Sequence, residues 1–315
     1  MTVTTAASSR PRARPGRPNG DRARTVRREA VFGYGMIFLS FAVIVVFTLL
    51  PIVFSVVLSL FSWDVLSPAA FIGLSNYRRM VADDNVIHSF GTTISLAVLI
   101  VALQLVLGLA LALLVQQHTS TWFRTLFRTA FFLPLLASAA SISIVFSYLF
   151  NDQFGVVNYY LDLLGLPQVA WLSSNHGATA VIVLVAVWQQ LGFVFILFIA
   201  ALGSLPVDIL EASAIDGSGP VRTLWSVKLP LISPTIFFAG VIGLINAMQL
   251  FDQPYVLTQG GPGSATTTTV LLIYRTAFQN IEFGYGSAIS VALFLVLLLL
   301  TGLQFLIGRK WVFYS

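Results

Sequence analysis

Apolar residues gather into six runs separated by polar segments: about Val31 to Leu60, Phe90 to Val115, Phe127 to Phe150, Ala178 to Leu202, Leu231 to Leu250 and Ser287 to Gly308. Each run is near or above the roughly 20 residues that cross the hydrocarbon core of a bilayer. The pattern therefore predicts an all-α integral membrane protein with six transmembrane helices. Pro51 lies inside the over-long first run, where a tilt, a kink or an interfacial extension is expected. Between the fourth and fifth runs the pattern changes. Glu211 to Pro234, EASAIDGSGPVRTLWSVKLPLISP, is a polar island containing turn residues. Pro206 suits the first turn of a helix, with Asp208 and Glu211 near the positive end of its dipole, and Asp216-Gly217 stops that helix. A second short helix can start at Pro220, with Val221, Leu224 and Trp225 on one face, and end at Leu229-Pro230. The segment of about residues 204–230 is thus predicted to be a helix-turn-helix lying on a membrane surface.

Composition points the same way. With 57% hydrophobic and 9% charged residues, the chain lacks the polar surface that a soluble protein of 315 residues requires. The 17 basic residues are placed unevenly. With both termini in the cytoplasm, the eight Arg between Arg10 and Arg28, together with Arg124, Arg128, Arg222, Lys228, Arg309 and Lys310, all fall inside. Only Arg78, Arg79 and Arg275 fall outside. That asymmetry predicts both termini and the Glu211 segment on the cytoplasmic face. Residues 1–30 are rich in Arg, Pro, Gly and Ser without an apolar period and are expected to be a disordered basic tail that touches anionic lipid. Residues 31–315 form the membrane domain. Arg27-Arg28 precede a run too long for a cleaved leader, so an uncleaved signal anchor is expected. No folded or aromatic platform accompanies the basic tail, which argues against a nucleic-acid partner.

Candidate chemistry is sparse. Cysteine is absent, and His88, His118 and His176 are far apart and expected in three different loops, so neither a metal site nor a thiol nucleophile is supported. Neither lysine follows a glycine, which excludes a phosphate-binding P-loop, and no Gly-x-Ser-x-Gly elbow occurs. No cofactor is expected in this chain. Amides are the remaining polar groups within the runs. Asn246, Gln249 and Gln253 recur at i, i+3 and i+7 toward the end of the fifth run, and Gln189-Gln190 lie beside Trp188 in the fourth. Such amides suit the hydroxyls of a passing polyol, and suit equally well the hydrogen bonding of one helix to another. Asp252 is expected at the membrane interface and is not read as a proton carrier.

The Glu211 segment resembles the EAA loop of inner-membrane permease subunits of bacterial ABC importers. It carries Glu211-Ala212-Ser213, Asp216-Gly217 and Leu229-Pro230, with Ser213 in place of the second Ala and Ser218 in place of a frequent Ala. Other stretches are similar to the carbohydrate-uptake branch of that family, related to the maltose and glycerol-3-phosphate systems. These are Phe71-Ile72-Gly73-Leu74-Ser75-Asn76-Tyr77, Phe127-Arg128 with Leu133-Pro134, and Phe251-Asp252 with Thr258-Gln259-Gly260-Gly261-Pro262. The resemblance runs from about Val31 to the C-terminus. It implies a transport subunit without catalysis of its own, in the bacterial cytoplasmic membrane. The partners it implies are a second permease in a heterodimer, two ABC ATPase subunits and an extracytoplasmic solute-binding protein. Glu211, Ala212, Ser213, Asp216, Gly217, Leu229 and Pro230 would then couple to the ATPase, and Gln189, Asn246, Gln249 and Gln253 would line the solute path. A self-sufficient secondary transporter or channel is the alternative. It would call for inverted repeats, broken helices or a charged relay at mid-membrane, and the sequence displays none of these. A membrane-bound enzyme ranks third, for want of a catalytic constellation.

Overall fold

A computed structural model describes residues 20–64, 66–117 and 121–313. The chain forms two units, Met1–Phe54 and Ser55–Ser315. Helix α1 (Gly20–Ile44) passes through a wide π turn, Val45–Leu49, into α2 (Leu50–Leu58). Of the predicted disordered tail, residues 1–19 lie outside the described residues, and helix already begins at Gly20, ahead of the expected Val31. Phe32–Leu58 is a 27-residue apolar span, about 40 Å of helix at the usual rise. The wide turn explains how the helix continues past Pro51. Leu50 N–H reaches back five residues to Val45 O, which moves the carbonyls of the preceding turn away from the proline ring.

In the second unit the strands β1 (Phe61–Ser62) and β2 (Ala70–Phe71) pair antiparallel, Phe61 opposite Phe71. Next come α3 (Ser75–Ala82) and the long α4 (Asp84–Gln117). The Gly-Leu-Ser-Asn-Tyr element has a physical role here. Buried Asn76 donates to Ser59 O at 2.8 Å and Phe61 O at 3.0 Å, and Tyr77 OH meets Ser59 Oγ at 2.7 Å, closing the strand pair onto α3.

The third apolar run is two helices, α5 (Thr121–Leu136) and α6 (Ala139–Leu149), bent by 102°. After α7 (Val156–Leu163) comes α8 (Asn175–Gly203), started by Ser174, whose side chain accepts from Gly177 N–H. Then follow α9 (Val207–Ile215), α10 (Pro220–Thr223), a wide turn Leu224–Lys228, α11 (Leu229–Leu231) and α12 (Ser233–Met248). The chain ends through a wide turn Pro254–Thr258, α13 (Thr269–Tyr274), a further wide turn Arg275–Gln279 and α14 (Phe283–Trp311). Asp84–Gln116, Asn175–Gly203 and Phe283–Trp311 are long enough to span alone. The bent pairs Thr125–Leu136 with Ala139–Leu149, and Pro220–Leu231 with Ser233–Met248 (67°), bring the total to six. The six predicted spans are present, but the third and fifth are broken, a property that the sequence did not display.

Helix α8 is apolar over most of its surface and more than half buried, and α4, α5 and α12 pack on it. That is the expected place for a helix with so few polar residues. One core cluster surrounds Ile100, Ile182, Val185 and Met248; a second surrounds Ala112, Phe195, Phe198 and Ile232. At the α5–α8 crossing a Cβ on Gly192 would collide with the backbone carbonyl of Phe131. Gly192→Val should therefore force the helices apart and cost about 1–3 kcal/mol, lowering the thermal midpoint of the purified protein in detergent. Gly302→Ala, in α14 with open space where its Cβ would lie, should not lower that midpoint, and the better helix propensity of alanine should raise it slightly.

Candidate functional site

Two regions concentrate the polar features. The first is the α9–α10 turn. Pro206 sits just before the first turn of α9 rather than within it, and Asp208 lies in that turn. The helix stops in a Schellman arrangement: Ser218 N–H bonds Ser213 O at 3.1 Å and Gly217 N–H bonds Ala214 O at 3.1 Å. Gly217 has φ +73°, the left-handed conformation that the Asp216-Gly217 pair predicts, and nothing lies within 4 Å of where its Cβ would be. Backbone conformation rather than crowding within the chain accounts for this glycine. Buried Ser213 places its hydroxyl 3.3 Å from that of Thr223, joining the two arms of the turn. Glu211, Ala212 and Asp216 are exposed, as are the large apolar side chains of Ile215, Val221 and Trp225.

Leu229-Pro230 does not end the second helix, as expected from sequence. The wide turn Leu224–Lys228, closed by Leu229 N–H on Leu224 O, displaces the carbonyl that the proline ring would strike, and helix runs on to Leu231. The break comes at Ile232. Leu210, Leu229 and Leu231 pack on the second core cluster and fix the turn to the helix bundle.

The second region is a cavity of about 240 Å³ among α4, α8 and α12. All four residues expected along a solute path, Gln189, Asn246, Gln249 and Gln253, line it, together with Gln104, Gln190 and Asp252. They do not converge as a continuous helical stripe. Helix α12 stops at Met248, Gln249 has φ −100° and ψ 16°, and the chain turns before Pro254 resumes a helical course. Gln253, 5% exposed, donates to Gln189 Oε1 at 2.9 Å, and Gln189, 7% exposed, donates to Ala137 O at 3.3 Å. That carbonyl lies at the α5–α6 bend, so one pair of amides connects three elements. Gln104 Nε2 reaches Ala186 O at 3.4 Å. Among the described residues, the side chains of Gln190, Asn246, Gln249 and Asp252 make no hydrogen bond within the chain. Asp252, expected at the membrane interface, is half-buried on the cavity wall. Trp188 packs against Phe146 with centroids 5.4 Å apart and faces a separate apolar groove, away from the amides.

The histidines expected in loops are differently placed. His88 and His176 lie at the starts of α4 and α8, and His118 falls outside the described residues. Among the described residues no cluster of His, Asp and Glu could hold a metal ion.

The fold thus defines a multi-pass transport subunit: helices, two of them broken spans, around a polar cavity, with a helix-turn-helix anchored to the bundle. Residues 104–312 match the family of binding-protein-dependent transport system inner membrane components, and the chain belongs to that family. It is an importer permease, a transport subunit and not an enzyme. Its sequence is 33% identical over 284 residues to the trehalose/maltose transport system permease protein MalF of Thermococcus litoralis, covering 90% of this chain and 95% of that protein. It is 32% identical over 265 residues to the probable ABC transporter permease protein YurN of Bacillus subtilis, covering 83% and 91%. The sn-glycerol-3-phosphate permease UgpA of Yersinia enterocolitica is 36% identical over 250 residues, covering 78% and 82%. A chain in the crystal structure of a bacterial alginate ABC transporter, in complex with a periplasmic protein bound to alginate pentasaccharide, superimposes with a TM-score of 0.79 at 21% identity. The match covers 91% of this chain and 96% of that one.

Breaking one member of the amide pair leaves a buried partner unsatisfied. Gln189→Leu and Gln253→Leu should each cost about 1–3 kcal/mol. The double variant should cost less than the sum of the two by at least about 0.5 kcal/mol, because the shared bond is lost only once. Unfolding of the three purified variants measures both quantities.

Proposed function

We propose that this chain is the permease of an ATP-driven importer for a sugar or a related polyol or glycerol-phosphate solute. In this reading it forms the solute path with a second, non-identical permease and couples to two cytoplasmic ABC ATPase subunits. A solute-binding protein delivers cargo to the outer face. The observation that carries the proposal is the α9–α10 turn: an exposed Glu211-Ala212 pair and a buried Ser213, followed by a glycine at positive φ, firmly seated on the helix bundle by Leu210 and Leu229. Such a unit can pass a push from a docked subunit to the spans. ATP-driven closure of the partners would bias the bundle between inward- and outward-facing arrangements. The exposed amides Asn246 and Gln249 would meet solute hydroxyls on the path side. No cofactor is required in this chain. The two broken spans meet one criterion of a secondary transporter, yet family membership and the turn favour the ATP-driven reading.

The uneven split of basic residues supports an orientation with the turn and both termini in the cytoplasm of a bacterial cell. A cysteine at Gly217 should be shielded from an impermeant maleimide in intact cells, and one at Gly261 should be labelled. Labelling at Gly217 from outside would overturn the orientation and the coupling role together. A side chain at a positive-φ position costs about 1–2 kcal/mol, less than the stability of a typical folded protein. Gly217→Val and Glu211→Lys should therefore still insert in the membrane while uptake falls and the ATPase is lost or uncoupled. Wild-type ATPase retention and wild-type uptake in both variants would show the turn to be an ordinary surface loop.

A further inference from the structure

Helix α7 is amphipathic the wrong way round for a protein surface in water. Its one buried residue is polar. Asn158, 3% exposed, donates to Asp152 O at 3.1 Å and Val169 O at 2.9 Å, and its Oδ1 accepts from Val169 N–H at 3.1 Å and Trp171 Nε1 at 3.0 Å. The face turned outward is apolar. Val156, Tyr159, Tyr160 and Leu163 recur at i, i+3, i+4 and i+7, which makes one stripe of a helix, and all four are exposed, Tyr159 by 65% and Leu163 by 69%. A surface helix ordinarily turns such a stripe inward.

The helix is also held at the level where the third span ends. Gly155 N–H donates to Asn151 O at 3.0 Å, and a Cβ on Gly155 would collide with the backbone of Leu149 and Asn151, so α7 starts pressed against the end of α6. On its other side Asn158 grips Val169 and Trp171. The Trp171 ring stands edge-on to Phe150 with centroids 5.3 Å apart and packs on the core cluster around Ile182. Exposed apolar surface continues from one helix to the other, because Tyr148 of α6 and Phe154, just ahead of α7, are both exposed and lie 6.5 Å apart. Between Arg128 and Arg222 the sequence has no Lys or Arg. The stripe can therefore offer apolar contact but no attraction to an anionic surface.

We infer that α7 lies in the interfacial layer of the bilayer, with its Val156–Leu163 stripe seated among the lipid glycerol groups and upper acyl chains. An amphipathic helix that binds a membrane from solution commonly uses cationic side chains to reach it. The spans on either side carry α7 there, so it needs none. Tyrosine suits this layer, having an apolar ring and a hydroxyl that stays wet. Seated in this way, α7 fixes the depth at which α6 ends, and the bend of the third span is braced against the lipid as well as against the bundle. The inference requires a bilayer but no particular solute or driving force, and so stands apart from the importer reading.

Spin-label accessibility on the intact complex in phosphatidylcholine nanodiscs tests the seat. The chain has no cysteine of its own, so Tyr159→Cys, Tyr160→Cys and Leu163→Cys each give one labelled site here, the other subunits being freed of cysteine. Asp162→Cys and Gln168→Cys, at exposed polar positions, are the references. The three stripe labels should lose access to a water-soluble nickel chelate and gain access to oxygen, relative to the references. The pattern should be the same when phosphatidylglycerol is added, since no cation takes part. Stripe labels as open to the nickel chelate as Gln168→Cys would mean that the helix stands in water. Stripe labels shielded from both reagents would mean that a protein covers it. Either result, or a pattern that appears only with anionic lipid, overturns the inference. If a label at one stripe position prevents assembly, the other two decide. ATPase content of the same samples reads the importer assignment independently.

Discussion

A carbonyl freed by a break in a helix inside a bilayer has no water to turn to, and much of the interior here is arranged around that constraint. The third span bends by 102° next to Ala137, and Gln189 from α8 supplies an N–H to Ala137 O. Gln189 in turn needs a donor for its own oxygen, and Gln253 provides it from beyond the break in the fifth span. The carbonyl at the bend of the third span is thus satisfied by a chain of two amides, and at the break of the fifth span Ser233 donates to Pro230 O. Polar side chains have to gather where spans are interrupted, and a polar cavity at mid-bundle follows from that requirement.

The remainder of the bundle holds those amides in register. Helix α8 is enclosed by α4, α5 and α12, and the absence of a side chain at Gly192 lets the backbone of α5 come close enough for Ala137 to reach Gln189. The clusters around Ile182 and Phe195 lie on either side of that level. Apolar packing sets the distances, and the amides then find partners with little freedom left to lose.

Run length and punctuation made much of this legible in the sequence. Six apolar runs gave six spans, because a length near 20 residues has one economical use in a bilayer. Asp216-Gly217 gave the turn, because few residues other than glycine readily adopt its φ. Asn246, Gln249 and Gln253 were brought together, although by a break in the chain and not by the helical spacing that suggested it. The breaks themselves could not be read. An apolar run looks the same straight or bent, and Pro134 lies within α5, three residues before the bend. Pro230 misled because a wide turn placed ahead of it removes the clash that normally ends a helix. Some aromatic contacts had no signal in sequence: Trp63 packs on Phe283, and Phe251 on Tyr274, across long stretches of chain.

Near the end of α14 a small hydroxyl has a disproportionate mechanical position. Ser233 donates to Pro230 O at 2.7 Å and accepts from Phe313 N–H at 3.0 Å. The break in the fifth span and the far end of the sixth are therefore pinned to one oxygen atom. Through Pro230 the same oxygen also touches the segment that leads in from α10. A displacement at residue 233 that keeps both bonds would have to carry the start of α12 and the end of α14 together.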